Sequence, residues 1–188
     1  MTLRSILAAT GAILLCTSAA GVLKQKRFQA SQTAAFVQQM ERVPSTQPPI
    51  SRPARKTRAI ARLNIPDLGV TAMVVDGDSS GDLSLGPGHI PGTALPGRSG
   101  NIGIAGHRDS VFRPLRSIRK GQIITLTTPH GKDEYRVVCT SIVSPKDTSV
   151  LRPSTRDSLT LVTCYPFDFI GPAPKRFIVR AERVELQR

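Results

Sequence analysis

Cysteine is scarce in this chain. Its 188 residues hold three, at positions 16, 139 and 164, too few and too odd in number for a disulfide framework. No CxxC pair and no His/Cys cluster stands at zinc-ligand spacing, so neither a structural metal nor a cofactor is expected. Aromatic residues are equally thin, at 4% of the chain. That excludes the usual nucleic-acid surface, on which aromatic side chains interleave with basic ones, even though Lys and Arg outnumber Asp and Glu by 26 to 13 and the net charge is +13. Much of the surplus, Arg52, Arg55, Lys56, Arg58 and Arg62, lies in and beside one Pro-rich stretch. It reads first as a solvated linker and second as a segment drawn to anionic lipid head groups or wall polymers; no nucleic-acid partner is expected. No internal repeat is present, and the length suits one domain with additions.

Charge is missing altogether from Ser5 to Leu23, SILAATGAILLCTSAAGVL. Such a run is about long enough to cross a ~30 Å hydrocarbon core as a helix. Two outcomes compete, an uncleaved anchor and a signal peptide cut after Ala20; the length favours the anchor, because a usual signal-peptide core is only about 7–15 residues. Cys16 follows Ile-Leu-Leu, without the small residue expected before a lipidated Cys, and reads as an apolar helix side chain. The flanking charges are Arg4 before the run and Lys24, Lys26 and Arg27 after it, which by themselves hold the C-terminal side in the cytoplasm. From Lys24 to Val43 there is no Gly or Pro, consistent with a helix or juxtamembrane stalk. Pro44 to Arg58 has prolines enough to favour an extended spacer. The division that follows is a membrane segment at 1–23, a stalk and basic linker at 24–57, and a folded domain at 58–188.

Beyond the linker the chain is mainly β. Short β-branched or alternating runs fall at Ala59 to Ile65, Val70 to Val75, Asn101 to Ala105, Gln122 to Thr127, Glu134 to Val143, Ser158 to Cys164 and Arg176 to Leu186, with Gly, Pro and Asp turns between them. Only Ser110 to Arg119 reads as a helical turn, limited by Pro114. Seven or eight short antiparallel strands with little helix predict a closed or nearly closed barrel, which leaves no sheet edge exposed.

Chemistry centres on TLVTCYPF, Thr160 to Phe167. Leu159, Leu161 and Thr163 alternate with Thr160, Val162 and Cys164, which puts the thiol on a fixed face just before Tyr165 and Pro166 end the strand. A thiol is a good nucleophile only as thiolate, and near its reference pKa of about 8.5 it needs a partner. His107, directly after an apolar strand in GNIGIAGHRD, can take that proton and return it to a leaving amine. Arg176, which opens APKRFIVRA after Pro174, offers a permanent charge and a fork of donors for an oxyanion or a substrate backbone. Rivals are present. His89 and His130 lie in turn-like surroundings, Cys139 lies mid-strand and reads as a buried inert thiol, and Arg108 and Arg180 match Arg176 in charge. Asp76, Asp78, Asp147 and Asp157 follow no dedicated ion-binding spacing.

Together these segments resemble the sortases, membrane-anchored cysteine transpeptidases of bacterial envelopes. The family's TLxTC motif is matched by Thr160, Leu161, Thr163 and Cys164, and the resemblance runs from about Ala59 to Val184. TCYPF and the short gap from Cys164 to Arg176 are most like the class D or Gram-negative-type branches. Gln122 departs from an Asp found in many relatives, far in sequence from the three candidate positions. The resemblance implies an eight-stranded barrel. It implies His107, Cys164 and Arg176 as the catalytic residues, settling the choice among the arginines, and Ala105 and Thr163 as lining residues of the groove for the sorting signal. Ser144 to Ser158 corresponds to the loop that shapes the Leu-Pro pocket. It also implies a catalytic domain on the outer side of a single-pass membrane anchor, against the flanking charges. The partners it implies are exported proteins with a C-terminal sorting signal of the LPxTG kind and an amine acceptor such as a peptidoglycan precursor or a pilin lysine. An envelope thiol hydrolase and a non-catalytic binding barrel stay open as alternatives.

Overall fold

Alternation builds the barrel. In the computed structural model, which describes residues 20–38 and 58–184, β1 (Ala59–Ile65) turns Ala61, Leu63 and Ile65 into the core and Arg62 to solvent. Inward residues of β2 (Val70–Asp76), β4 (Asn101–Ala105), β5 (Ile123–Thr128), β6 (Gly131–Val143), β7 (Ser158–Tyr165) and β8 (Lys175–Arg183) fill the same core, while β2 over 72–75 and β4 over 101–104 are buried on both faces. A two-residue strand, β3 (Gly88–His89), completes the set. The strands close in the order β1-β2-β3-β4-β7-β8-β6-β5, and β5 pairs back onto β1. One contiguous core contains Leu63, Ile104, Leu126, Tyr135, Leu161 and Val179, and Phe112, Leu115 and Ile118 from the segment after β4 pack into it.

The closed, mainly β barrel is the one expected, with strand ends within three residues of the seven expected runs, among which β3 does not figure; the last two residues of the run Arg176 to Leu186 lie outside the described residues. Two features differ. The strands are not uniformly antiparallel: β2 with β3 and β4 with β7 pair in parallel. The chain between β4 and β7 holds β5 and β6, ample for the long return that a parallel pair needs. Cys139 is exposed rather than buried. The β6/β8 register slips between Val137 and Cys139, and this bulge breaks the alternation that buries Tyr135 and Val137, so the next residue of that phase points outward.

The expected membrane segment, Ser5 to Leu23, lies outside the described residues except for 20–23, as does the Pro-rich linker within 39–57. Among the described residues no helix is long and apolar enough to cross a membrane. Residues 20–38 form α1, which docks on the barrel. The Gln29 amide pairs with both polar groups of Met73, accepting from its N–H at 2.6 Å and donating to its carbonyl at 3.2 Å, and donates to the Leu85 carbonyl at 2.8 Å. Gly86 makes room, since a Cβ there would lie 2.4 Å from Gln29 Nε2. Phe36 packs with Ala59 and Met73 beside it. Gln29→Ala is therefore expected to lower unfolding free energy by roughly 1–3 kcal/mol, the cost of unpaired buried groups. A chain beginning at Thr57 is expected to keep a closed barrel, because no strand comes from α1, but to melt earlier than the full chain. Thermal melting of both variants checks this, and an unchanged melting temperature in both would make α1 a passive neighbour.

Candidate active site

The parallel pairing of β4 and β7 brings the candidate residues together. Ala105 stands opposite Val162, so His107, just past the end of β4, and Cys164, near the end of β7, each two residues further on, come to the same level. The Gly106 N–H donates to the Val162 carbonyl at 3.0 Å, and the Thr163 hydroxyl donates to the Gly106 carbonyl at 2.7 Å. Two bonds thus pin the turn that carries His107 to the strand that carries Cys164. The turn is shaped by Phe112, which lies so close that a Cβ on residue 106 would meet its ring at 2.5 Å; Gly106 is the residue that fits. From the other side, β8 runs antiparallel to β7 with Arg176 directly opposite Cys164 and Ile178 opposite Val162. Side chains so paired stand about 4.5–5.5 Å apart at Cβ. Val143 of β6 faces Arg176 in turn.

These residues form a groove of about 340 Å³ lined by Ala105, His107, Thr163, Cys164 and Arg176. Its apolar floor is Val162, Ile178 and Val143, and Leu83 and Ile90 contribute from the segments flanking β3. One wall is the segment before β7, with Pro145, Thr148, Val150 and Leu151. Buried Asn101 holds that wall: its amide nitrogen donates to the Val150 and Arg152 carbonyls, both at 3.1 Å, while its oxygen accepts from the Thr160 hydroxyl at 2.8 Å. Asp157 anchors the wall's far end, accepting from the Gly100 N–H at 2.9 Å and from Arg183 at 3.0 Å. The Gly100 bond first, then Arg183, holds its carboxyl below the ordinary value. Asp147 on the groove wall is likewise held low, by the Ser149 hydroxyl and N–H.

Each side chain has a definite state. Cys164 is half-buried and unpaired, and His107 is exposed. Arg176 is half-buried and uses Nη1 to donate to the carbonyls of Ala173 at 3.2 Å and Lys175 at 3.0 Å. Among the described residues its Nε and Nη2 have no protein acceptor. Ala105 lines the groove; Thr163 does so too, but its hydroxyl is committed to Gly106 and its side chain is buried. The rivals are elsewhere. His89 is buried, with Nε2 against the Ala94 carbonyl and the Thr93 hydroxyl, both at 3.1 Å. His130 is exposed in the β5/β6 turn, and Arg180 points to the Ser158 hydroxyl at 3.5 Å.

A family model for the sortase domain matches residues 63–184. The chain belongs to the sortase family. Sortase D of Bacillus subtilis (strain 168) is 38% identical over 123 residues, covering 65% of this chain and 62% of that protein. Sortase A of Bacillus anthracis is 28% identical over 133 residues, 69% of this chain and 61% of that one. The chain thus spans about three fifths of the length of these curated relatives. Among solved structures, the Clostridium perfringens sortase D5 transpeptidase matches with a TM-score of 0.68 at 26% identity, over 86% of this chain and 99% of that chain. A lid mutant of sortase A from Corynebacterium diphtheriae matches with a TM-score of 0.65 at 31% identity, over 71% and 74%. Class D members thus stand among the matches in sequence and in structure, in accord with the reading of TCYPF.

Several groove residues of this sortase barrel escaped sequence reasoning. Val162 and Ile178 carry a usable signal, since each lies two residues from Cys164 or Arg176 and so shares its face. Leu83, Ile90 and Asp78 carry none, because they reach the groove through the short β3 and its flanks.

Proposed function

We propose that this chain is a membrane-anchored cysteine transpeptidase that cuts an LPxTG-like sorting signal and transfers the exported protein to an envelope amine. The reading is carried by one observation, the register that sets Cys164 opposite Arg176 and level with His107 along a single groove. His107 takes the thiol proton, and the Cys164 thiolate attacks the carbonyl carbon of the scissile Thr-Gly bond. The resulting oxyanion accepts hydrogen bonds from the unengaged nitrogens of Arg176. Collapse breaks the C–N bond, His107 returns its proton to the leaving amine, and the acyl half stays on Cys164 as a thioester. An incoming amine, from a peptidoglycan precursor or a pilin lysine, then attacks the thioester and releases the thiol. Ala105 and Thr163 line the groove beside the acyl half, with the Thr163 hydroxyl holding the turn rather than touching substrate. The uncharged run from Ser5 to Leu23 supports a single-pass anchor, with the barrel on the outer side where exported substrates arrive.

The acceptor tests the reading. A pool of quenched-fluorescent LPxTG-type peptides is incubated with the full chain and rising hydroxylamine, and products are separated by mass spectrometry. The hydroxamate is expected to replace the free acid as hydroxylamine rises. Free acid alone at every concentration would make the chain a thiol hydrolase, and absence of cleavage across the pool would favour a binding barrel.

A further inference from the structure

Arg108 follows His107 but turns away from the groove. Its Nη2 donates to the carbonyl of Phe169 at 2.6 Å and to that of Gly171 at 3.0 Å, and its guanidinium carbon lies 5.9 Å from the centroid of the Phe169 ring. Both carbonyls belong to the loop that carries the chain from β7 to β8, from Cys164 to Arg176. One side chain therefore ties the turn that carries His107 to the loop that joins the strands of Cys164 and Arg176. We propose that Arg108 is a positioning residue, which sets His107 against Cys164 by locking the His107 turn onto the loop between Cys164 and Arg176. This rests on the reading of those three residues as the reacting groups.

The need for such a tie follows from what His107 lacks. A catalytic base is ordinarily oriented by a third group, yet the His107 ring makes no hydrogen bond among the described residues. Its placement comes through the main chain. The Gly106 N–H is held by Val162, and the His107 carbonyl accepts from the N–H groups of Ser110 at 3.4 Å and Phe112 at 3.3 Å. Those bonds fix the turn to β7 and to itself, and from the position next to His107 it is Arg108 that reaches the loop beyond Cys164 with charge-assisted bonds. Among the described residues the loop's other charged ties both end on Asp168, from Arg116 at 2.8 Å and Arg113 at 3.9 Å; these side chains are exposed and the attraction is screened. Arg108 also has no reserve: its Nη1 is buried without an acceptor, so the latch hangs on one nitrogen and the ring contact.

The test uses the full chain with the same peptide pool and hydroxylamine, with kcat normalised to the titrated Cys164 thiol. Arg108→Gln is expected to lower kcat on the order of 10²-fold, the loss that a misplacement of about 1 Å brings, while KM moves by less than about twofold. Arg108→Lys, which retains a cationic donor, is expected to recover part of that loss. Arg116→Gln, which breaks the shorter of the two exposed pairs on Asp168, is expected to stay within about threefold of the unsubstituted chain. A lowered melting temperature with kcat intact, or an equal loss in Arg116→Gln, overturns the proposal. Should Arg108→Gln fail to fold, Arg108→Lys decides: a fall in kcat at constant KM upholds the role and an intact kcat overturns it. His107→Ala separates the levels. If it retains turnover, the reading of the base fails; if it is inactive while Arg108→Gln is fully active, only the positioning role fails.

Discussion

Cys164→Ala is expected to lower turnover by roughly 10⁴–10⁶, the scale of loss when a covalent nucleophile is removed. Mass spectrometry of the unsubstituted chain with a sorting peptide should find the acyl adduct on Cys164 and nowhere else. The exposed thiol of Cys139 makes this a demanding test, because exposure alone gives that residue the easier access. A thiol becomes reactive through a partner that takes its proton, and Cys139 has none of the groove residues around it: it faces Arg180 across the β6/β8 ladder, outside the groove. Cys139→Ala should therefore leave turnover intact, whereas an adduct on Cys139 would sink the assignment of Cys164. For the same reason, labelling with a small thiol probe has to be resolved by peptide mapping before it says anything about the groove.

What could be read in advance was whatever the chain repeats locally. The alternation through Leu159, Leu161 and Thr163 names the buried face of β7 and leaves Val162 and Cys164 on the other, and the turn residues between such runs separate the strands to within a few positions. The trio of His107, Cys164 and Arg176 was legible only through motifs, since the three come together through a parallel pairing between β4 and β7 and an antiparallel one between β7 and β8 that no local pattern announces. Three features lay beyond reach for definite reasons. β3 is two residues long, too short to show a period. Cys139 sits past a bulge, where one extra residue reverses which side chains face inward. Arg108 and Gln29 make their bonds to backbone groups, and those of Arg108 are 61 and 63 residues away; such groups recur along the whole chain and so leave no mark in a sequence.

Arg176→Lys is expected to lower kcat roughly 10²–10³-fold, the loss seen when one oxyanion donor is removed, while Cys164 still reacts with a small alkylating probe. The expectation follows from how the guanidinium is divided. Nη1 is occupied by the Ala173 and Lys175 carbonyls, Nε and Nη2 have no acceptor among the described residues, and the side chain lines the groove opposite Cys164. An ammonium keeps the charge but cannot bond the chain on one side and an oxyanion on the other in a fixed plane. If Arg176 served mainly to stabilise the thiolate by its charge, Lys would largely suffice, and Arg176→Ala would slow alkylation along with turnover. Comparing alkylation and turnover in both variants, in a Cys16→Ala/Cys139→Ala background so that only one thiol is read, therefore distinguishes the two roles. Near-normal turnover in both would return Arg176 to the status of an ordinary strand residue. The oxyanion donor would then have to be sought among the backbone N–H groups of the groove, because Arg108 and Arg180 are committed to the β7/β8 loop and to Ser158.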